Sequence, residues 1–151
     1  MRNILLFLTL VLVIFPANAQ SFSDQIDAIK QLQEIVNFAE AEKCAESLLL
    51  LLENNDEKLI IYEILSGLCN RSQRYCESAD YLLQAKEITS KPFEKNRYMT
   101  RIADLHYLSG EYSLAATLYK DRFLSKPEDE ILFRCFCSLL KSDNWKDVEE
   151  S

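Results

Sequence analysis

A single histidine, His106, five cysteines at positions 44, 69, 76, 135 and 137, and a scatter of carboxylates are the side chains here that could do chemistry. Acid–base or nucleophilic work needs them in company, and the sequence nominates no company. A Gly-rich phosphate loop, an HExxH pair and a Gly-x-Ser-x-Gly elbow are all missing from the 151 residues. His106 falls at a helix-packing position with no nucleophile or orienting carboxylate marked out beside it, so a packed histidine is expected rather than a catalytic one. No metal ligands, cofactor or catalytic residues are expected, and the chain does not read as an enzyme.

The cysteines allow more. Cys69 and Cys76 flank the short stretch Asn70–Tyr75. Paired, they would close so short a loop that the bond contributes about 2 kcal/mol at most in the chain-entropy account. Left apart, they are two buried thiols, an equally ordinary fate for cysteine. An odd number of cysteines leaves at least one unpaired within a monomer. Cys135-x-Cys137 has redox-like spacing, but side chains two apart on a helix point about 200° away from each other. Cys135 would face the core and Cys137 the opposite side.

The elements that position these residues are legible from Ile102–Pro127. Ile102, Ala103, His106 and Tyr107 share one side of a helix. Gly110 can take the positive φ that ends a helix, placing the stop near Leu108 or Ser109. Tyr112, Ala115, Tyr119 and Phe123 repeat the helical step, and Ala115 would let two backbones approach closely. Pro127 closes the second helix near Leu124. The result is an αα-hairpin.

This stretch resembles a tetratricopeptide repeat (TPR) in Ile102-Ala103, Gly110-x-Tyr112, Ala115, Tyr119 and Pro127. It departs from that pattern at His106, where an aromatic is usual, and at Arg122, where a small residue is usual. The pattern recurs upstream. Phe38, Tyr75 and Tyr112 are spaced by 37 and 37, as are Ala41, Ser78 and Ala115, and Ala28, Leu65 and Ile102. The spacing predicts hairpins over roughly Ser23–Asn54, Glu57–Lys91 and Glu94–Pro127. A fourth begins with a helix over Asp129–Lys141, its apolar side made of Ile131, Leu132, Cys135, Phe136, Leu139 and Leu140. Asp143-Asn144-Trp145 follows in the turn position, with Val148 where Ala115 stands after Tyr112. The expected fold is therefore all-α, a right-handed stack of about three and a half TPR-like hairpins. Phe136 and Trp145 would need cover, from the chain's own end or from a partner.

The first nineteen residues read separately. Arg2, the apolar run Ile4–Phe15 and Ala17-x-Ala19 have the order of a signal peptide cleaved before Gln20. The mature chain, 20–151, is then expected to be exported, to the periplasm or outside the cell, with no stable membrane insertion after cleavage. The 17 basic and 24 acidic side chains leave a net charge of −7, one unit more negative without Arg2. An acidic chain lacking a Lys/Arg cluster suits neither nucleic acid nor anionic lipid. Asn70-Arg71-Ser72 is a glycosylation sequon if the chain enters a eukaryotic secretory pathway.

What the resemblance implies is an interaction scaffold that binds a protein or peptide through the concave face of its first helices. Carried over position by position, that groove would include Lys30, Glu63, Asn70, Arg71, Arg97, Thr100, Asp104, Tyr107 and Cys137. Arg71 and Arg97, with Tyr107 beyond them, would suit an acidic peptide. Two other classes stay open. One is an assembly subunit that forms homo- or hetero-oligomers through its incomplete C-terminal repeat. The other is a thiol-active exported enzyme, suggested only by the cysteine count.

Overall fold

The computed structural model describes residues 21–34 and 37–142. The expected leader with its Ala17-x-Ala19 site, the expected turn Asp143-Asn144-Trp145 and Val148 lie outside the described residues. Seven helices follow one another: α1 (Phe22–Glu34), α2 (Phe38–Leu49), α3 (Asn55–Arg71), α4 (Tyr75–Ile88), α5 (Pro92–Leu108), α6 (Tyr112–Ser125) and α7 (Asp129–Lys141). There is no strand among the described residues. The chain divides into two compact units, 1–41 and 42–151.

In the first unit, α1 opens with a reciprocal cap. Ser21 N–H donates to Asp24 Oδ2 and Asp24 N–H donates to Ser21 Oγ, both at 3.2 Å. Ile26 and Ile29 are buried, while Lys30 pairs with Asp27 in solvent.

The second unit holds the rest of α2 and the five helices after it. Local chemistry sets the boundaries. Asn54 caps α3 by accepting from Asp56 N–H at 2.8 Å. Pro92 opens α5, where its missing N–H costs nothing. Both α3 and α5 end in the same turn. A cap serine, Ser72 or Ser109, is followed by a residue at positive φ, Gln73 at 58° or Gly110 at 87°. The next N–H reaches back five residues, Arg74 to Cys69 O and Glu111 to His106 O, each at 2.9 Å. Lys126, before Pro127, is extended at φ −153°, which stops α6.

Within this unit α3 packs on α4, α4 on α5, α5 on α6 and α6 on α7. Helices α2, α4 and α6 start 37 residues apart, as do α3, α5 and α7. Small residues sit where partners must come close. The hydroxyls of Ser66 on α3 and Ser78 on α4 are 2.9 Å apart, both buried. Ala103 on α5 and Ala115 on α6 share a cluster with Tyr119, Ile131 and Cys135. A second cluster joins Leu59, Leu82, Tyr98, Ile102 and Leu105.

Arg122 is buried on α6, and its hydrogen bonds explain how the helix tolerates a large cation there. Its Nε donates to Asn96 O at 3.2 Å, Nη1 to Lys126 O at 2.9 Å and Nη2 to Glu128 at 3.0 Å. An acceptor at each of its three nitrogens compensates the burial.

Helix α7 differs from its expected pattern. Ile131, Cys135 and Ser138 are buried, but Leu132, Phe133, Phe136 and Leu140 are at least half exposed, Phe133 to 65 %. Its apolar residues occupy two sides of the helix, and only one side is packed.

Candidate functional site

The predicted groove residues lie mostly on α3 and α5; the structure joins Glu63 to Arg97 and ties Asp104, Thr100 and Tyr107 to residues outside the predicted set. Arg97 pairs with Glu63 on α3, and Tyr98 Oη donates to the same carboxylate at 2.8 Å. Burial, with that carboxylate beside it, pushes the Tyr98 hydroxyl up to about 12. Asp104 accepts from Tyr119 on α6 and from Arg134 on α7. Burial, then the Asp104 contact, raises the Tyr119 hydroxyl as well. Thr100 spends its hydroxyl inside its own helix, on Asn96 O at 3.2 Å. Tyr107 meets Tyr112 edge-on at 5.2 Å, and Lys141 Nζ lies 4.6 Å from the Tyr107 ring.

Arg71 and Asn70 are exposed at the end of α3, Cys137 is half-buried on α7, and Lys30 belongs to the first unit. The first helices α3, α5 and α7 thus form a row tied by ion pairs, with the Arg97 charge already met by Glu63. Arg134 and Lys141, which complete this row, carried no sequence signal; their roles depend on partners thirty or more residues away.

The cysteines are not brought together. Cys69 and Cys76 are both free thiols with separate carboxylate partners. Cys69 Sγ lies 3.7 Å from Glu42 Oε1, and Cys76 Sγ lies 3.7 Å from Glu111 Oε2. Burial pushes the Cys69 thiol up to about 12. Its neighbours Glu42 and Glu77 complete a trio of possible metal donors. Arg74 bridges those two carboxylates, at 2.5 and 2.8 Å. A metal would have to remove a tightly held thiol proton and compete with that guanidinium.

His106 is half-buried, and its Nδ1 lies 2.6 Å from Glu111 Oε2. Ser109 Oγ donates to the same oxygen at 3.0 Å. The imidazole and then the serine hold the Glu111 carboxyl below its ordinary value. An open cleft of about 340 Å³ runs between the two serine turns, past Gln73, Cys76, Leu108 and Ser109. The thiol and the imidazole both point at one carboxylate rather than at each other. A thiolate formed there would face an anion, the reverse of an activated cysteine.

The bare side of α7 is the other candidate surface. Leu132, Phe133, Phe136 and Leu140 fall within one arc of the helix, and each is more than half exposed. No helix among the described residues is long and apolar enough to cross a membrane, and α7 is one of the short ones at 13 residues. No family model matches the chain, and neither a curated protein nor a solved structure does.

Proposed function

We propose that this chain is a non-catalytic, exported protein-interaction scaffold. On this reading it is a right-handed TPR-like stack that meets its partner through the bare face of α7. The observation that carries the reading is the stripe Leu132–Phe133–Phe136–Leu140, an exposed apolar surface on a helix whose opposite side is already packed. Export rests on the leader's order of charge, apolar run and Ala17-x-Ala19. The carboxylate between the Cys76 thiol and the His106 imidazole supports the absence of catalysis.

A second reading places the partner on the row of first helices. It is favoured by Arg71 and Arg97, both exposed, on neighbouring members of that row. A peptide carboxylate there would compete with Glu63 for Arg97. Photo-crosslinkers placed in turn at Phe133 and at Arg97 separate the two in the native exported fraction. Adducts from position 133 alone support the α7 face, and adducts from position 97 alone move the site to the row. An absence of adducts from both sinks the scaffold reading.

A further inference from the structure

Arg97, Arg134 and Lys141 all reach neighbours along the row of first helices, but the fold receives them differently. Arg97 on α5 meets Glu63, and Arg134 on α7 meets Asp104 and Glu130. Lys141, the last residue of α7, pairs with no carboxylate among the described residues. Its Nζ lies instead 4.6 Å from the centre of the Tyr107 ring and 5.3 Å from that of Tyr112. The two rings meet at 69° with their centroids 5.2 Å apart. They form two walls of a notch, and one ammonium lies over both.

Both ring quadrupoles attract a cation at these distances. The Tyr107 hydroxyl also accepts a hydrogen bond from the ammonium, which holds the Lys141 side chain above its ordinary value. The walls are fixed and the occupant is not. Tyr107 packs against the cluster of Ala103, Ala115 and Ile131, and Tyr112 is the first residue of α6. Both tyrosines are half-buried, whereas Lys141 is exposed at a helix end. Its flexible stem lets the ammonium leave for water without moving a helix, and the notch is then open to solvent.

The packing of a hairpin does not require this notch. Thirty-seven residues earlier, Tyr107 and Tyr112 become Asn70 and Tyr75, and Lys141 becomes Asp104. Helices α3 and α4 pack on one another with only one of the two walls. The second tyrosine and the lysine are thus particular to the turn between α5 and α6.

We infer that the Tyr107–Tyr112 notch is a binding site for a lysine side chain of a basic partner segment, with Lys141 as its tenant in the free protein. A primary ammonium fits better than a quaternary one, because only the primary ammonium can donate to the Tyr107 hydroxyl. The chain's net charge of −7 draws a basic segment and repels the acidic peptide that Arg71 and Arg97 suggest in the sequence. The site does not use the bare face of α7, so it does not rest on the contact proposed there.

The test is a titration of the mature protein with N-acetyl-lysine amide, read in the magnetic resonance signals of the tyrosine rings. Tyr62 and Tyr81, whose rings lie together on α3 and α4, are the internal reference. In Lys141→Ala the notch is empty, so the probe should shift the Tyr107 and Tyr112 signals and leave the reference pair unmoved. Binding should be roughly two- to fivefold tighter than to the wild type, where the probe must displace Lys141. Adding Tyr112→Leu to Lys141→Ala should abolish the Tyr107 shift while far-ultraviolet circular dichroism stays unchanged. Tetramethylammonium should bind more weakly than the lysine probe.

Absence of ring shifts in folded Lys141→Ala overturns the inference. So does equal affinity for that variant and the wild type, which would show that Lys141 is no tenant. A Tyr107 shift that survives Tyr112→Leu places the probe outside the notch and overturns it too. Tighter binding of tetramethylammonium overturns the choice of lysine. Crosslinking from position 133 reports on the α7 face alone, so either proposal can fail without the other.

Discussion

Tyr98 on α5 reaches back to Glu63 on α3, its hydroxyl donating to the carboxylate at 2.8 Å while its ring is 1 % exposed. One side chain thus fills the core of one hairpin and ties the next to it. Asp104 repeats the device with Tyr119 and Arg134. Ties of this kind hold neighbouring first helices in register, which apolar contact alone does not do, because it lacks direction.

The tie and the packing of Tyr98 separate by substitution. Tyr98→Phe keeps the ring and removes the bond to Glu63, which retains Arg97. It should cost about 1 kcal/mol, below the usual figure for a bond to a charged group because Glu63 is partly exposed. Tyr98→Ala should cost about 3–5 kcal/mol. The Glu63–Arg97 pair, half in solvent, should show a coupling of about 0–1 kcal/mol in a double-mutant cycle. Urea melts check all three, and equal losses for Phe and Ala would mean that the core does not depend on this ring.

Gln73 holds the positive φ that Gly110 holds in the next hairpin, and a side chain there is strained. Gln73→Gly should stabilise the protein by roughly 0.5–1 kcal/mol, less than the full strain because glycine also loses more entropy on folding. Gly110→Ala should destabilise by about 1 kcal/mol from backbone strain alone, since a Cβ there meets nothing within 4 Å. Matching signs in thermal melts would contradict the shared turn.

The packed pairs α3–α4 and α5–α6 were legible in the sequence because their signals are local. Gly110, Pro127 and the helical steps of Tyr112, Ala115 and Tyr119 need no knowledge of distant residues, and the helix starts fall at the 37-residue spacing of Phe38, Tyr75 and Tyr112. The outward face of α7 was not legible. Its apolar residues cover both sides of the helix, so a wheel cannot say that Leu132 and Phe136 stay outside while Ser138 goes in. Nor was the charge of the first-helix row. Arg97 reads as an anchor in sequence, and only the fold brings Glu63 to it.

Acid should loosen the joints between helices before it affects their interiors. Glu94 is held below its ordinary value by Thr89 and Lys91, Glu111 by His106 and Ser109, and Glu128 by Lys126 and Arg122. Each stands in or just before the first turn of a helix. Native values depressed below the ordinary 4.5 give stability that is complete above that value and is lost as pH falls through the native ones. Melting temperature should therefore fall from about pH 5 downwards. Glu111→Gln should melt lower at neutral pH and lose less on acidification. An unchanged acid slope in that variant would show that the carboxylate does not link His106 to the turn.

Ala115 tests the packing register most directly. It is fully buried in a cluster with Ala103, Tyr119, Ile131 and Cys135, so it touches α5 and α7 as well as its own helix. Ser113, two residues earlier, is exposed on the far side of α6. Ala115→Leu forces branched methyls between two helices already in contact and should cost about 1–3 kcal/mol. Ser113→Leu should change stability by no more than about 0.5 kcal/mol. The overpacked variant should also disturb α7, because Ile131 and Cys135 share the cluster, and hydrogen exchange along α7 should speed up while α3 keeps its protection. Equal losses for the two leucines, or loosening of α3 before α7, would show that the contact between α5 and α6 is not centred on Ala115.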